Sequence, residues 1–155
     1  MYFDDTGQLA KTKVYIVWGS PASGKTTYVK THMKEGDIVV DLDAIKQAIS
    51  LKARQDIPEN LLNVALEIRD LLYEKIHSSE FICENAWVIA CLPREEQRDR
   101  LKAKMNGTLI HCDATKEECL MRSKLDPERT DKMLDREIIE KYWDRFEPDP
   151  PYKIP

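Results

Sequence analysis

The sequence predicts an α/β fold of three layers, a short parallel sheet of about four strands with helices on both faces. Three observations carry that reading. Short, nearly all-apolar runs recur along the chain, as in strands buried on both faces of a parallel sheet. Between them lie longer stretches of helical period, which supply the right-handed crossovers that parallel strands need. Turn signals punctuate the alternation, at Gly19 to Gly24 after the first strand, at Gly36 and at Asn106-Gly107.

Residues 14–18 (VYIVW) form the first strand and residues 24–33 a helix, with Gly36 placed to stop it as a C′ glycine. Residues 37–41 (DIVVD) are a second strand, 44–50 a short helix and 52–60 a polar loop. Pro58 suits the first turn of the next helix, along which Leu61, Leu62, Ala65, Ile68, Leu71, Leu72 and Ile76 repeat at helical spacing. A third strand lies within residues 81–92, centred on WVIAC at 87–91. Pro93 then opens a helix to Met105, Asn106-Gly107 turns the chain, and residues 108–112 are the fourth strand. Thr115 with Glu118 forms a capping-box pattern ahead of another helix. After a charged break at 124–131, Leu134, Ile138, Tyr142 and Phe146 mark a last helix whose aromatics, Trp143 included, read as core or half-core. The tail, 147–155, has four prolines in nine residues and reads as extended.

The 155 residues, 42% hydrophobic and 34% charged, suit one domain over 1–155 with its core at about 13–148. No apolar run approaches the roughly 18 residues of a membrane span. The acidic start, Met1-Tyr2-Phe3-Asp4-Asp5, lacks the pattern of a signal peptide. Both point to a cytoplasmic protein with no membrane partner. Cys83, Cys91, Cys112 and Cys119 include no C-x-x-C pair and read as small hydrophobes, not zinc ligands. A net charge of −4 opposes tight nonspecific nucleic-acid binding but leaves room for a local basic groove.

The chemistry centres on Gly19-Ser20-Pro21-Ala22-Ser23-Gly24-Lys25-Thr26, with Thr27 directly after it, between the first strand and its helix. It fits the phosphate-loop pattern G-x-x-x-x-G-K-[ST] at every specified position. Glycines let backbone amides approach phosphate oxygens, and the helix N-terminus adds its positive end. Lys25 should reach the β- and γ-phosphates of ATP or another nucleoside triphosphate, and the Thr26 hydroxyl should hold Mg²⁺. The fold class is therefore that of a P-loop NTPase.

Asp41 and Asp43 end the second strand, where ligands gather in an open parallel sheet. If the chain stays extended there, the two share a face. Asp43 is then placed to take the proton of an incoming hydroxyl. It equally suits the N-cap of the helix at 44–50, and both roles are compatible. The third strand ends without the carboxylate that commonly supports magnesium, and Glu84 sits at its wrong end. That speaks against a motor ATPase and leaves Asp41 or Asp43, or water-mediated contacts, to support the metal. Arg122, Lys124, Arg129 and Lys132 flank the helix break as a closing lid would require, although Arg122 also suits a helix C-terminus. Arg94, Arg98, Arg100, Lys102 and Lys104 alternate with acids and read as a solvated face, with Arg94 and Arg98 nearest the strand's carboxyl end.

On these residues the chain resembles the small P-loop kinase-like proteins of the polynucleotide 5′-kinase group, of phage or prophage type. The resemblance rests on the loop at 19–27, VVDLDAIKQAI at 39–49, WVIACLPREEQRDRL at 87–101 and KEECLMR at 116–122. It implies Asp43 as general base for a 5′-hydroxyl, with Arg122 and Arg129 as lid arginines around the phosphates. The chain departs from the group in the missing strand-end aspartate and in carrying no phosphatase or ligase domain. The function expected is ATP- and Mg²⁺-dependent transfer of the γ-phosphoryl to a nucleic-acid 5′-hydroxyl or a small-molecule acceptor. The alternatives are a nucleoside or nucleotide kinase, and a non-catalytic ATP-binding accessory module in phage DNA metabolism.

Overall fold

The computed structural model describes residue 3, residues 5–7 and residues 10–150. Four strands, β1 (Lys13–Trp18), β2 (Ile38–Asp41), β3 (Asn85–Ala90) and β4 (Thr108–His111), form one sheet in the order β2-β3-β1-β4. Every neighbouring pair is parallel. Trp18 lies opposite both Ala90 and His111, and Asp41 opposite Ile89. The four carboxyl ends are thus level to within a residue, and the segments leaving the strands gather on one rim.

The helices are α1 (Lys25–His32), α2 (Leu42–Ser50), α3 (Leu62–His77), α4 (Glu95–Met105), α5 (Lys116–Leu125) and α6 (Lys132–Arg145). Tyr73 and Ile76 of α3 and Met105 of α4 pack on one sheet face, against Val14, Ile16, Val40, Ala86 and Val88. Val29 of α1 packs on the other, against Val17 and Trp87. These are the three layers the alternation predicts. The α5–α6 pair instead sits at the carboxyl rim, where Cys119, Ile139 and Ala114 meet Ala22 of the phosphate loop.

Several expected details differ. Met33, not Gly36, ends α1, its N–H closing on the Val29 carbonyl. Gly36 is the third residue of a turn in which Asp37 N donates to the Lys34 carbonyl, and its φ of 89° is what that position needs. Helix α2 begins two residues early because Asp41 is its N-cap, accepting from Asp43 N at 3.2 Å. Asp43 therefore lies in the first helical turn; it is not the cap, and it shares no extended face with Asp41. Pro58 precedes a 3-10 turn, Glu59–Leu61, ahead of α3.

Arg98 overturns the solvated-face reading of α4. It is fully buried, its guanidinium 4.1 Å from the Trp18 ring, donating to the carbonyls of Leu92, Pro93 and Glu147 and paired with Asp149. Its spacing to Leu101 and Met105 puts it on the helix stripe that faces the sheet. Of the tail expected to be extended, residues 147–150 carry no helix or strand, and 151–155 lie outside the described residues.

Candidate functional site

Strand β1 delivers Gly19 between the ends of its two neighbours. Gly19 N donates to the Cys91 carbonyl at 3.3 Å, and Cys112 N donates to the Trp18 carbonyl at 2.8 Å. A Cβ on Gly19 would stand 2.8 Å from the Cys112 carbonyl oxygen and 2.9 Å from Ser23 Oγ, so no side chain fits there. Ala22 (φ 63°) and Gly24 (φ 96°) then turn the loop back on itself, and Ser23 N donates to the Ser20 carbonyl at 3.1 Å. The left-handed backbone of Ala22 costs about 1–2 kcal/mol, strain of the kind held at functional sites.

Gly24 caps α1 with no side-chain bond, so the first-turn N–H groups are left for a ligand. Ser23 Oγ is buried and has no hydrogen-bond partner. Thr26 and Thr27 present exposed side chains at the same helix start. Lys25, expected to project at phosphate and away from the core, is buried. Its Nζ donates to the carbonyls of Gly19 at 3.0 Å and Ser20 at 2.7 Å, with Cys91 Sγ at 3.9 Å. An amine in a closed loop must find acceptors somewhere, and these are the nearest substitutes for phosphate oxygens. The loop's hollow, its orphaned hydroxyl and its lysine fit a nucleotide's phosphates, and the exposed Thr26 hydroxyl fits a magnesium ligand.

Asp41 and Asp43 meet the loop from β2. Burial and the neighbouring Asp43 charge push the Asp41 carboxyl above the usual range, opposed by the Asp43 N–H, Arg54 and Lys25. Asp41 thus feels both Asp43 and, more weakly, Lys25. Asp43 Oδ2 accepts from Arg54 Nη2 at 3.0 Å, and Oδ1 lies 3.9 Å from Lys46 Nζ. In the sequence Arg54 is one residue of a polar loop; no motif or periodicity marks it.

The candidate lid cations part company. Arg122 Nη1 donates to the Ser23 carbonyl at 2.8 Å and lies 3.4 Å from where a Gly24 Cβ would be. It reaches the phosphate loop. Arg129 is buried and its guanidinium is spent on Asp135 at 2.7 Å and Asp126 at 3.3 Å. Asp135 also accepts from Ser123. Lys132 Nζ donates to the Ser123 and Asp126 carbonyls, closing the end of α5. The structure therefore brings Arg122 to the phosphate loop, sets Asp41 and Asp43 on the same rim with Asp43 paired to Arg54 and Lys46, and commits Arg129 to the inside of the α5–α6 break. Cys91 and Cys112 bracket the loop as free thiols. The Cys112 thiol is pushed up by burial, against the pull of Lys25 and Arg122.

A sequence profile described as an AAA domain matches residues 14–148. No curated protein sequence matches the chain. Among solved structures, a chain of the "Pnkp1/Rnl/Hen1 RNA repair complex" superposes with a TM-score of 0.58 at 12% identity, over 93% of this chain and 49% of that one. At that identity the likeness shows the fold alone, and this chain spans about half the length of its neighbour.

Proposed function

The chain belongs to this AAA domain family, and from that premise we propose that it is a P-loop phosphotransferase, moving the γ-phosphoryl of ATP to a nucleic-acid 5′-hydroxyl. One observation carries the reading beyond nucleotide binding. Asp41 ends β2 and caps α2, and Asp43 follows in the first helical turn, on the carboxyl rim of the sheet that also carries the phosphate loop. Capping accounts for Asp41 and leaves Asp43 as the carboxylate that transfer to a hydroxyl would use as its proton acceptor. The neighbouring fold's place in an RNA repair complex supports a nucleic-acid acceptor.

Residues 19–24 would cradle the phosphates with backbone N–H groups, Ser23 adding its unpartnered hydroxyl. Lys25 would exchange its two loop carbonyls for β- and γ-oxygens, and Thr27 would serve from the first turn of α1. Mg²⁺, when bound, would neutralise phosphate charge, with Thr26 holding it and Asp41 supporting it at longer range. Asp43 takes the acceptor's proton as the hydroxyl oxygen bonds to the γ-phosphorus and the bond to the β-phosphate oxygen breaks, leaving ADP. Arg122 moves from the Ser23 carbonyl onto the transferring group, stabilising charge that grows in the transition state. Arg129 acts as a brace within the lid.

Asp43→Asn is the test. Asp41 is the cap of α2, so the change keeps the cap while removing a proton acceptor and a negative charge that faces Arg54, Lys46 and Asp41. Transfer to a 5′-hydroxyl oligonucleotide should fall by roughly 10²–10⁴-fold, with ATP affinity by calorimetry and the melting temperature held. Transfer at the wild-type rate would falsify the base assignment. The missing carboxylate at the end of β3 favours a second reading, an ATP-binding accessory module. It would show as tight ATP binding by the wild type with no label on oligonucleotides or a nucleoside panel.

A further inference from the structure

We propose that Arg54 and Gln55 tie the candidate base Asp43 to the lid, so that the position of the α5–α6 break sets the orientation of Asp43. The proposal rests on the phosphotransfer reading above. The two residues are the central pair of one tight turn, closed by Asp56 N donating to the Ala53 carbonyl at 2.9 Å. From that turn their side chains engage different parts of the molecule. Arg54 Nη2 donates to Asp43 Oδ2 at 3.0 Å. The Gln55 amide meets the lid break across 75 residues of sequence: Oε1 accepts from Asp131 N at 2.6 Å and from Thr130 Oγ1 at 3.2 Å. Its Nε2 donates to the Asp131 carbonyl at 3.4 Å.

The amide therefore pairs with both backbone groups of one residue, as a neighbouring strand would. That residue is the N-cap of α6, its carboxylate accepting from Leu134 N at 3.0 Å. An N-cap's own N–H has no helical partner, so the bond from Gln55 satisfies a group the helix leaves open. On the lid side Asp131 adjoins the ion cluster Arg129–Asp126–Asp135, which stiffens the break. Helix α5, on the other side of the break, carries Arg122 to the phosphate loop.

Consecutive Cα atoms are held about 3.8 Å apart by a planar peptide. A turn grasped at one residue by the lid and at the next by the base cannot follow one without moving the other. When Arg122 leaves the Ser23 carbonyl for a phosphate, α5 and the break shift, and Gln55 carries that shift to Arg54. Arg54 is in this sense a positioning residue. It fixes Oδ2 of Asp43 and leaves Oδ1, with Lys46 at 3.9 Å, to face the acceptor. Donor-side closure and acceptor-side orientation become one movement, which keeps the base out of register while the nucleotide site is open to water.

The test pairs hydrogen exchange with a mutant cycle on the full chain. Gln55→Ala should speed amide exchange in residues 126–131 and 53–56 together by about tenfold, the mark of a lost local restraint. It should lower kcat for phosphate transfer to a 5′-hydroxyl oligonucleotide while KM for ATP stays within about twofold, since orientation acts in the transition state. Arg54→Ala should cost about tenfold in kcat in the otherwise wild-type chain, and less than about twofold when Asp43→Asn is already present, because it acts through that carboxylate. Millimolar guanidinium should restore part of the Arg54→Ala loss. Unchanged exchange in Gln55→Ala overturns the tie. A full, additive Arg54→Ala effect in the Asp43→Asn background overturns the positioning role. Failure of the phosphotransfer reading itself looks different, with Asp43→Asn transferring at the wild-type rate, and it removes the function of the tie along with the base.

Discussion

Asp41 sits where charge is costly. Half-buried at the end of β2 beside Asp43, its carboxyl is raised by burial first and by the Asp43 charge second. At low pH both the folded and unfolded chains carry it protonated, and no charge is buried. As pH rises, the unfolded chain releases the proton first. The folded chain releases it only through its higher value, so this contribution to stability is lost on going to neutral pH. Asparagine caps a helix about as well as aspartate and carries no charge to desolvate. Asp41→Asn should therefore melt at a higher temperature than wild type at pH 7.5, the gain shrinking to nothing near pH 3.5. An equal gain at both values would mean that the charge is not what destabilises the site. A carboxylate whose ionisation burial disfavours, on the same rim as a phosphate loop, is a pattern that functional sites favour.

At the scale of elements, α5 and the break after it divide two tasks that one run of cations suggests are shared. Arg122 is exposed and touches the loop, whereas Arg129 is buried in an ion cluster. Arg122→Ala should lower kcat by about 10²-fold or more with its melting temperature nearly unchanged, as expected for a cation that acts on the transferring group. Arg129→Ala leaves Asp135 buried without its partner, which costs about 3–5 kcal/mol and lowers the melting temperature by roughly 10 °C. Thermal melts alongside single-turnover assays separate the two; equal effects of both variants on both measurements would contradict the division. Strand positions, the phosphate loop and the Thr115 capping box are legible in the sequence because each depends on a local pattern of few residues. The start of α2 is not, since the choice between Asp41 and Asp43 as cap turns on where the chain leaves the sheet. Arg98 is hidden by its charged neighbours, although its spacing to Leu101 and Met105 carries the signal. Nothing local reveals Arg54, Gln55 or the duty of Arg129, because each is defined by a partner brought in by folding.

The sheet order β2-β3-β1-β4 places the phosphate loop between two strand ends, with the Asp41–Asp43 corner on the far side of β3. In the proposed reaction the phosphate loop and the Asp41–Asp43 corner would occupy separate stretches of one rim, while the molecule as a whole carries a net charge of −4. A protein with that balance offers a polyanion little general attraction, because nonspecific affinity grows with the number of phosphates neutralised. Among the described residues, Lys46 and Arg54 are the cations paired with Asp43. An oligonucleotide acceptor should therefore be held at its 5′ end, by one or two phosphates, with the rest of the strand trailing in solvent. For single strands the logarithm of affinity falls with the logarithm of salt at about −0.7 per phosphate contacted, so a slope near −1 is expected. Values of kcat/KM for 5′-hydroxyl oligonucleotides of three and twenty residues should agree within about threefold, since added phosphates meet no added cations. A slope of about −3 or steeper, or a preference for the longer strand that grows as salt is lowered, would show that the acceptor lies along a basic track these side chains do not provide.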